Sequence, residues 1–331
     1  MAYADLSDEE QVEVVRAVAR TAAEQFGLEL VRLELEAHAY NTTFAADTTD
    51  GARYALRVNT NSHSTPSNIV AQQAWQRAIG VDAGVLVPEP LTTLAGEWYV
   101  RVGSEAFGRP LLVTAASWLE GPDIAEMDVV VTHELGRIMA MLHEQSRCWP
   151  FPPGASLPRF DTPLFGDEDL LCSADWLDAG QRTVLDQAKM ETGRAFAAVC
   201  HDASLQPLHA DLHGGNLKWV KDRLAVFDFD DCGLGVPVLD LAITTFYLRS
   251  GNPAPEQALM AGYASEARLP EVDPRDFEGM VAARQLLLAN SLLSSTTAEL
   301  RAEAQQYLRV TIGRLRHWLK TGTFTREPPG G

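Results

Sequence analysis

The residues with the clearest chemical potential lie in LHADLHGGNLKW, residues 208–219, where Asp211 and Asn216 stand five positions apart and Asp228 follows a short apolar run. Amide and carboxylate oxygens are hard ligands that suit Mg²⁺, which leaves its other positions to water and phosphate oxygens. A carboxylate beside such a cation can accept the proton of a hydroxyl nucleophile. The pattern H-x-D-x-x-x-x-N with a later Asp therefore indicates phosphoryl transfer, with Asp211 as the base and Asn216 and Asp228 as metal ligands.

A hairpin is predicted to bring the two metal ligands together. The segments NLKWV and RLAVFD have the composition of strands and flank Lys221–Asp222. If these two residues form a tight turn, Asn216 pairs with Phe227. Asp228 then lies beside Asn216.

A phosphoryl donor also needs a cation for its phosphates and a slot for its base, and YALRV, residues 54–58, supplies both. On a strand, Ala55 and Arg57 face the same side. The small Ala55 leaves space for a flat ring, while the guanidinium of Arg57 reaches the phosphates. This strand is therefore predicted to form part of a nucleotide site.

The elements that position these residues change in type along the chain. Ser7 and Glu10 form a capping-box pattern at the start of a helix that ends at Gly27. Alternating patterns predict three strands between residues 30 and 59, then a helix near 67–79, and two further strands in EWYVRV and LLVTAASWL. The pattern breaks at residues 120–122. Beyond the break the chain is mainly helical, with predicted helices near 128–146, 178–201, 238–249, 274–295 and 298–319.

These elements predict an α+β protein of two lobes. The N-terminal lobe, residues 1–119, is a small antiparallel sheet that binds nucleotide. The C-terminal lobe, residues 120–325, is mainly helical and carries the catalytic loop and the acceptor site. Residues 326–331 are predicted to be a flexible tail.

Composition limits the partners of the chain. Its 331 residues carry a formal net charge of −18, and 46% of them are hydrophobic. This charge repels polyanions, which argues against nucleic acid or an anionic membrane as a partner. A single nucleotide remains compatible, because local donors and a divalent cation act at contact distance. The sequence shows no signal-peptide pattern and no apolar run long enough to span a membrane, so we expect a cytoplasmic protein.

Taken together, these segments resemble the aminoglycoside phosphotransferase and choline kinase superfamily, and within it the branch of bacterial stress-response Ser/Thr kinases and homoserine-kinase-like proteins. The resemblance covers nearly the whole chain, and it implies a two-lobed, protein-kinase-like fold. It is carried by YNTTF, YALRVN, SWLEGPDI, LGRIMAMLHEQSRCW, LHADLHGGNLKW and VFDFDDCGLGVPVLDLA. It implies transfer of the γ-phosphate of ATP, with Mg²⁺, to a hydroxyl of a small molecule (aminoglycoside, amino alcohol or homoserine-like) or of a protein Ser or Thr.

The resemblance also implies roles for single residues. Asp211 is the catalytic base, Asn216 and Asp228 hold magnesium, and Asp230 assists the metal or the substrate. His209 and Asp240 support the catalytic loop. The nucleotide site combines residues over the phosphates, on the strand of Arg57 and at the hinge, namely Asn41, Thr42, Thr43, Ala55, Arg57, Gln72, Ser117, Trp118 and Leu119.

One position departs from the family pattern. The family places a Glu on the helix after the Arg or Lys strand, where it pairs with that cation, but residues 67–79 contain no acid. Gln72 takes the place of the Glu, and its amide can hydrogen-bond the guanidinium of Arg57. A catalytically weak or inactive kinase-like protein that binds nucleotide for regulation is therefore an alternative.

Two further readings stay open at this stage. His209, Asp211 and His213 form H-x-D-x-H, which can begin a metal site of a hydrolase or of an iron oxygenase. On the acceptor side, the acids of FDTPLFGDEDLLCSADW either line a pocket for an amine-bearing substrate, as the resemblance suggests, or form a solvated acidic face. These acids are Asp161, Asp167, Glu168 and Asp169.

Overall fold

The structure is a computed structural model that describes residues 2–62 and 64–328. The N-terminal lobe contains a five-stranded antiparallel sheet with the spatial order β1-β2-β3-β5-β4. Its strands are β1 (Leu30–His38), β2 (Thr42–Thr48), β3 (Arg53–Val58), β4 (Val100–Ser104) and β5 (Arg109–Ser117).

One helix packs against this sheet, whereas a second, which follows β3, joins the core of the C-terminal lobe through Ala71, Trp75 and Ile79. Helix α1 (Asp8–Gln25) begins at the predicted capping box of Ser7 and Glu10 and covers one face of the sheet, where its apolar side chains share a core with the strands. On β3, Leu56 and Val58 point into that core, so Ala55 and Arg57 face the other side, as the alternation predicts. Helix α2 (Pro66–Ala78) follows β3 and continues into one π-helical turn at Ile79–Ala83.

The C-terminal lobe is built on six helices and two small antiparallel sheets. One sheet pairs β6 (Gln206–Leu208) with β9 (Gly233–Gly235), and the other pairs β7 (Leu217–Val220) with β8 (Arg223–Val226). Across the described residues, no helix is both long and apolar enough to cross a membrane. The six helices are α3 (Val129–Ser146), α4 (Ala179–Cys200), α5 (Pro237–Leu248), α6 (Ala254–Glu266), α7 (Pro274–Ser294) and α8 (Ala298–Thr321).

The predicted fold class is confirmed, but helix α6 was missed. Its buried residues are Leu259, Gly262 and Tyr263, which make no broad apolar stripe. It packs on α3 through glycines: a Cβ added at Gly262 would lie 1.9 Å from a backbone oxygen of α3, and one added at Gly136 would lie 2.1 Å from a backbone oxygen of α6. Hydrophobic periodicity does not detect a helix held by close backbone contact.

The predicted tail divides between described and undescribed residues. Arg326 donates from its backbone N–H to the carbonyl of Arg249 at 3.3 Å, and its guanidinium lies 5.5 Å from the ring of Phe246. This start of the tail is therefore packed against the helical lobe. Residues 329–331 of the prediction lie outside the described residues.

Candidate active site

The catalytic loop follows β6 and is held by Asp240 in the first turn of α5. The Asp240 side chain is fully buried, and its two oxygens accept the backbone N–H groups of His209 at 3.2 Å and Ala210 at 2.7 Å. His143 of α3 contacts the same carboxylate at 3.0 Å. Ala210 has φ of +62°, a conformation that costs free energy for a residue with a Cβ. These contacts fix the backbone immediately before Asp211.

His209 connects the loop to the end of β8. Its Nδ1 accepts the backbone N–H of Asp211 at 3.3 Å, so its Nε2 carries the proton that it donates to the carbonyl of Phe227 at 3.0 Å. Burial lowers the pKa of His209, which favours this neutral form. Both ring nitrogens are therefore occupied, and the H-x-D-x-H reading as a metal site is wrong.

Donors contact both carboxylate oxygens of Asp211. Arg284 of α7 forms an ion pair with Oδ1, and the hydroxyl of Tyr247 lies 3.4 Å from the same oxygen. Asn216 donates to Oδ2 at 3.1 Å, and Nε2 of His213 lies 3.4 Å from it. Burial alone would raise the pKa of Asp211, but the positive charge of Arg284 and the contact with His213 hold it well below its usual value.

The predicted hairpin is confirmed. Leu217 pairs with Val226, and the N–H of Phe227 donates to the carbonyl of Asn216 at 3.1 Å, which places Asp228 beside Asn216. The amide nitrogen of Asn216 donates to Asp211, so its amide oxygen, which accepts no hydrogen bond from any described residue, remains as a ligand atom.

This donor set fits magnesium. In the described part of the chain, no three His, Cys, Asp or Glu side chains form a complete metal site. Mg²⁺ does not need one, because it binds through one or two carboxylates and takes its other ligands from water and phosphate. Asn216 and Asp228, with Asp230 nearby, are therefore the residues that would hold it.

Arg57 extends from β3 across the cleft and contacts the predicted metal ligands. Its guanidinium contacts Asp228 at 2.9 Å and forms an ion pair with Asp230. Asn41, at the turn between β1 and β2, donates to Asp230 at 2.9 Å. Burial raises the pKa of Asp230 to about 6, opposed by Arg57 and reinforced by the charge of Asp228. The N-terminal lobe thus contacts the predicted metal ligands Asp228 and Asp230 through a cation and an amide.

The predicted contact between Gln72 and Arg57 does not form among the described residues. Gln72 is buried and donates to the carbonyl of Asp230 at 2.6 Å and to the hydroxyl of Ser64 at 3.2 Å. The carboxylates of Asp228 and Asp230 take its place beside Arg57. The prediction failed because it paired neighbouring elements of one lobe and overlooked the acids of the other.

Two amides of the predicted hinge already donate hydrogen bonds within the protein. The N–H of Ser117 donates to the carbonyl of Glu89 at 2.8 Å, and that of Trp118 to the carbonyl of Arg53 at 3.2 Å. Neither amide is available to an adenine ring. The N–H of Leu119 has no acceptor within the part of the chain that the structure describes, so it remains a candidate donor to the base.

A cavity of about 430 Å³ opens beside Asp211, between the lobes. Asp167 lines it, whereas Asp161 pairs with Arg159 at 2.9 Å and Asp169 with Lys189 at 2.8 Å. Asp231, which the sequence analysis did not select, supplies a further carboxylate. Of the acids predicted in 160–176, the structure thus brings Asp167 to the site.

The opposite wall of the cavity is a face of α7 formed by Arg284, Leu287, Leu288 and Ser291. Arg284 and Tyr247, which contact Asp211 from α7 and α5, were also missed from the sequence. A signal existed, because Arg284 interrupts the apolar helix MVAARQLLLAN, and a charged residue in a buried helix needs a partner. The sequence alone does not identify Asp211 as that partner.

A model of the phosphotransferase enzyme family matches residues 32–276. The chain is 24% identical over 227 residues to the amicoumacin kinase of Bacillus subtilis (strain 168), spanning 68% of this chain and 66% of that protein. It is 25% identical over 289 residues to the hydroxylysine kinase of Bos taurus, spanning 80% and 75%. A solved structure of the amicoumacin kinase hAmiN in complex with AMP-PNP, Ca²⁺ and Ami is similar with a TM-score of 0.71, at 20% identity over 94% of this chain and 96% of that one. The family match confirms the prediction of a phosphotransferase, and the chain belongs to the phosphotransferase enzyme family.

Proposed function

We propose that this protein is a magnesium-dependent kinase that transfers the γ-phosphate of ATP to a hydroxyl of a small, amine-bearing alcohol. The observation that carries the proposal is the arrangement at Asp211. Asp211, Asp228 and Arg57 line one cleft, and Asn216 contacts Asp211 directly. The AMP-PNP and Ca²⁺ bound by the hAmiN kinase support ATP and a divalent cation as the ligands of this cleft.

In the proposed reaction, the acceptor oxygen bonds to the γ-phosphorus while the bond from that phosphorus to the bridging oxygen of ADP breaks. The proton of the acceptor hydroxyl passes to Asp211. Since the pKa of Asp211 is low, this carboxylate first orients the hydroxyl and receives the proton late, which suits a loose transition state. When bound, Mg²⁺ supplies charge neutralisation on the transferring phosphoryl group.

The nucleotide is proposed to lie between β3 and the metal ligands. Ala55 leaves room for the base, Leu119 offers its N–H to the ring, and Arg57 binds the phosphates. The turn and strand that hold Asn41, Thr42 and Thr43 cover the phosphates; Thr43 supports this placement because it pairs with Arg57 across β2 and β3.

The charges of the cavity favour an amine-bearing acceptor. Arg57 is shared by Asp228 and Asp230, and Arg284 pairs with Asp211. Asp231 has no ion pair with any residue in 2–62 or 64–328. Partial desolvation in the cleft, where its side chain keeps contact with solvent, and the charges of Asp211 and Asp228 raise its pKa to about 7, so a cationic group nearby would stabilise its ionised form. The volume of the cavity, about 430 Å³, is in the range of small-molecule sites and supports a small molecule over a protein Ser or Thr.

The test begins with nucleotide binding and continues with transfer. Thermal unfolding with ATP or AMP-PNP should show a stabilisation that depends on Mg²⁺, of about 2.7 kcal/mol at a hundred times the dissociation constant. Transfer from ATP to a panel of amino alcohols, and to the same alcohols without the amine, then measures the acceptor class. The proposal fails if no transfer is found, and a magnesium-dependent shift without transfer would favour the regulatory alternative.

The variant Asp211→Asn separates catalysis from binding. Because it removes the base, turnover should fall by about 10²–10⁴-fold while the nucleotide-dependent thermal shift remains. Asp222→Asn, in the exposed turn between β7 and β8, is the matched control and should leave both unchanged. The alternative of a regulatory nucleotide-binding protein was motivated by Gln72, and it would gain support if Asp211→Asn and the unaltered protein shared the same low turnover.

A further inference from the structure

Two side chains from outside the catalytic loop meet at one oxygen of Asp211. Arg284 forms an ion pair with Oδ1, and its side chain is 6% exposed. The hydroxyl of Tyr247 accepts a hydrogen bond from Arg284 at 2.8 Å and lies 3.4 Å from the same Oδ1. Tyr247 is near the end of α5 and Arg284 is in the middle of α7, so two helices converge on this atom.

The contacts at the other oxygen come from the loop itself. Asn216 donates to Oδ2, and His213 contacts it. The Nδ1 of His213 accepts the N–H of Gly215 at 3.0 Å, so a neutral His213 carries its proton on Nε2, the atom that faces Asp211. The terminal torsion of an Asp side chain has broad wells. Contacts at Oδ2 therefore leave the carboxylate free to tilt unless Oδ1 is also held.

We propose that Arg284, supported by Tyr247, is a positioning residue for phosphoryl transfer: it holds Oδ1 of Asp211 so that the carboxylate faces the acceptor hydroxyl in the cavity. This inference rests on the proposed function. Arg284, Tyr247 and Asp211 all line that cavity, so the contact lies where an acceptor enters. Arg284 is already paired with the carboxylate of Asp211. It is therefore better placed to orient Asp211 than to bind a carboxylate of the substrate.

The competing explanation is purely structural, because a buried ion pair also ties α7 to the catalytic loop. The two roles differ in their consequences. A structural role affects stability and every activity together. A positioning role lowers kcat but leaves nucleotide binding intact. Among the described residues, Arg284 forms no hydrogen bond or ion pair with Arg57, Asp228 or Asp230, and its side chain contacts Asp211 and Tyr247 instead.

The experiment uses Arg284→Ala, Arg284→Lys and Tyr247→Phe in the full chain. Initial rates are measured with Mg-ATP and either 5-hydroxylysine or 2-aminoethanol, and ATP hydrolysis is measured without acceptor. We expect Arg284→Ala to lower kcat by about 100-fold with less than about a twofold change in KM for ATP, since a misplacement near 1 Å has this effect. Millimolar guanidinium chloride should restore part of that kcat, whereas NaCl at equal ionic strength should not.

Two variants test whether the loss of kcat is specific to the contact with Asp211. Arg249→Ala removes another largely buried arginine, which pairs with Glu256 and Glu278, and should lower stability without changing kcat and without rescue by guanidinium. Tyr247→Phe should lower kcat by about tenfold alone and have no further effect in Arg284→Ala, because both act on the same oxygen. If Arg284→Ala does not fold, Arg284→Lys and Tyr247→Phe test the proposal instead. A lower kcat with an almost unchanged KM for ATP supports the positioning role in these variants too.

The outcomes separate this inference from the proposed function. If the unaltered protein turns over ATP but Arg284→Ala keeps its kcat within about threefold, the positioning role is refuted and the kinase proposal stands. A loss of kcat that matches a loss of nucleotide binding, or that guanidinium does not restore, also refutes it. If the unaltered protein transfers phosphate to neither acceptor nor water, the proposed function fails and this inference fails with it.

Discussion

Helices α3 and α6 approach each other through glycines, and this contact supports the catalytic loop from behind. A Cβ at Gly262 would lie 1.9 Å from the carbonyl oxygen of His133, a distance that real Cβ contacts do not reach. The residue after Gly262, Tyr263, has its hydroxyl 3.0 Å from Nδ1 of His143. His143 in turn contacts Asp240, which holds the loop.

The substitution Gly262→Ala should therefore destabilise the protein strongly. To bring the new Cβ to at least 3.0 Å from the oxygen, the helices must separate by about 1 Å, because both contacting groups belong to helix backbones. Overpacking of this kind costs about 1–3 kcal/mol, and we expect the upper end because no flexible side chain can move aside. Separation of the helices also moves Tyr263 from His143, so turnover should fall under conditions in which the variant is folded.

Urea unfolding followed by circular dichroism measures this change as a shift of the midpoint. The control is Gly313→Ala on the exposed face of α8, where an added Cβ has no atom within 4 Å. There the better helix propensity of Ala should stabilise the protein by about 0.5–1 kcal/mol. An unfolding free energy of Gly262→Ala within about 0.5 kcal/mol of the unaltered protein would refute the close-packing explanation.

Two further substitutions test polar contacts in the buried interior. Asp240→Asn should lower the free energy of unfolding by about 2–3 kcal/mol and reduce turnover, because the N–H group of His209 or of Ala210 would face an amide donor. An unchanged urea midpoint and an unchanged turnover would contradict this. Asn61→Ala should cost about 2 kcal/mol in the same assay, since it leaves the N–H and the hydroxyl of the partly buried Thr296 without an acceptor, and a cost below about 0.5 kcal/mol would contradict it.

The parts of the site that depend on local chain geometry could be predicted from the sequence. A tight turn at Lys221–Asp222 fixes which residues pair along the hairpin, so Asn216 and Asp228 were placed together by counting outward. The same holds for Ala55 and Arg57, because alternation along a strand decides which face each occupies. In both cases hairpin register or strand alternation already determines which residues lie together, and the structure supplies the distances.

The choice of partner between distant elements could not be predicted in this way. Arg284 meets Asp211 across 73 positions of sequence, and nothing in its own helix specifies that contact. Helix α6 was missed for a related reason, since close backbone contact at Gly262 depends on where α3 lies. The hydrogen bonds that occupy the amides of Ser117 and Trp118 were also beyond reach, because their acceptors, at Glu89 and Arg53, lie in other segments.

The neutral residue at position 72 is explained by the same long-range contacts. The resemblance led us to expect a Glu on this helix that pairs with the cation of β3, but here Arg57 already contacts two carboxylates, Asp228 and Asp230. The side chain of Gln72 donates to the carbonyl of Asp230 at 2.6 Å. A carboxylate has no proton to donate to that oxygen, and it would add a third negative charge beside Asp230. Gln72 is thus the residue type that this cleft requires, and its presence is consistent with an active kinase.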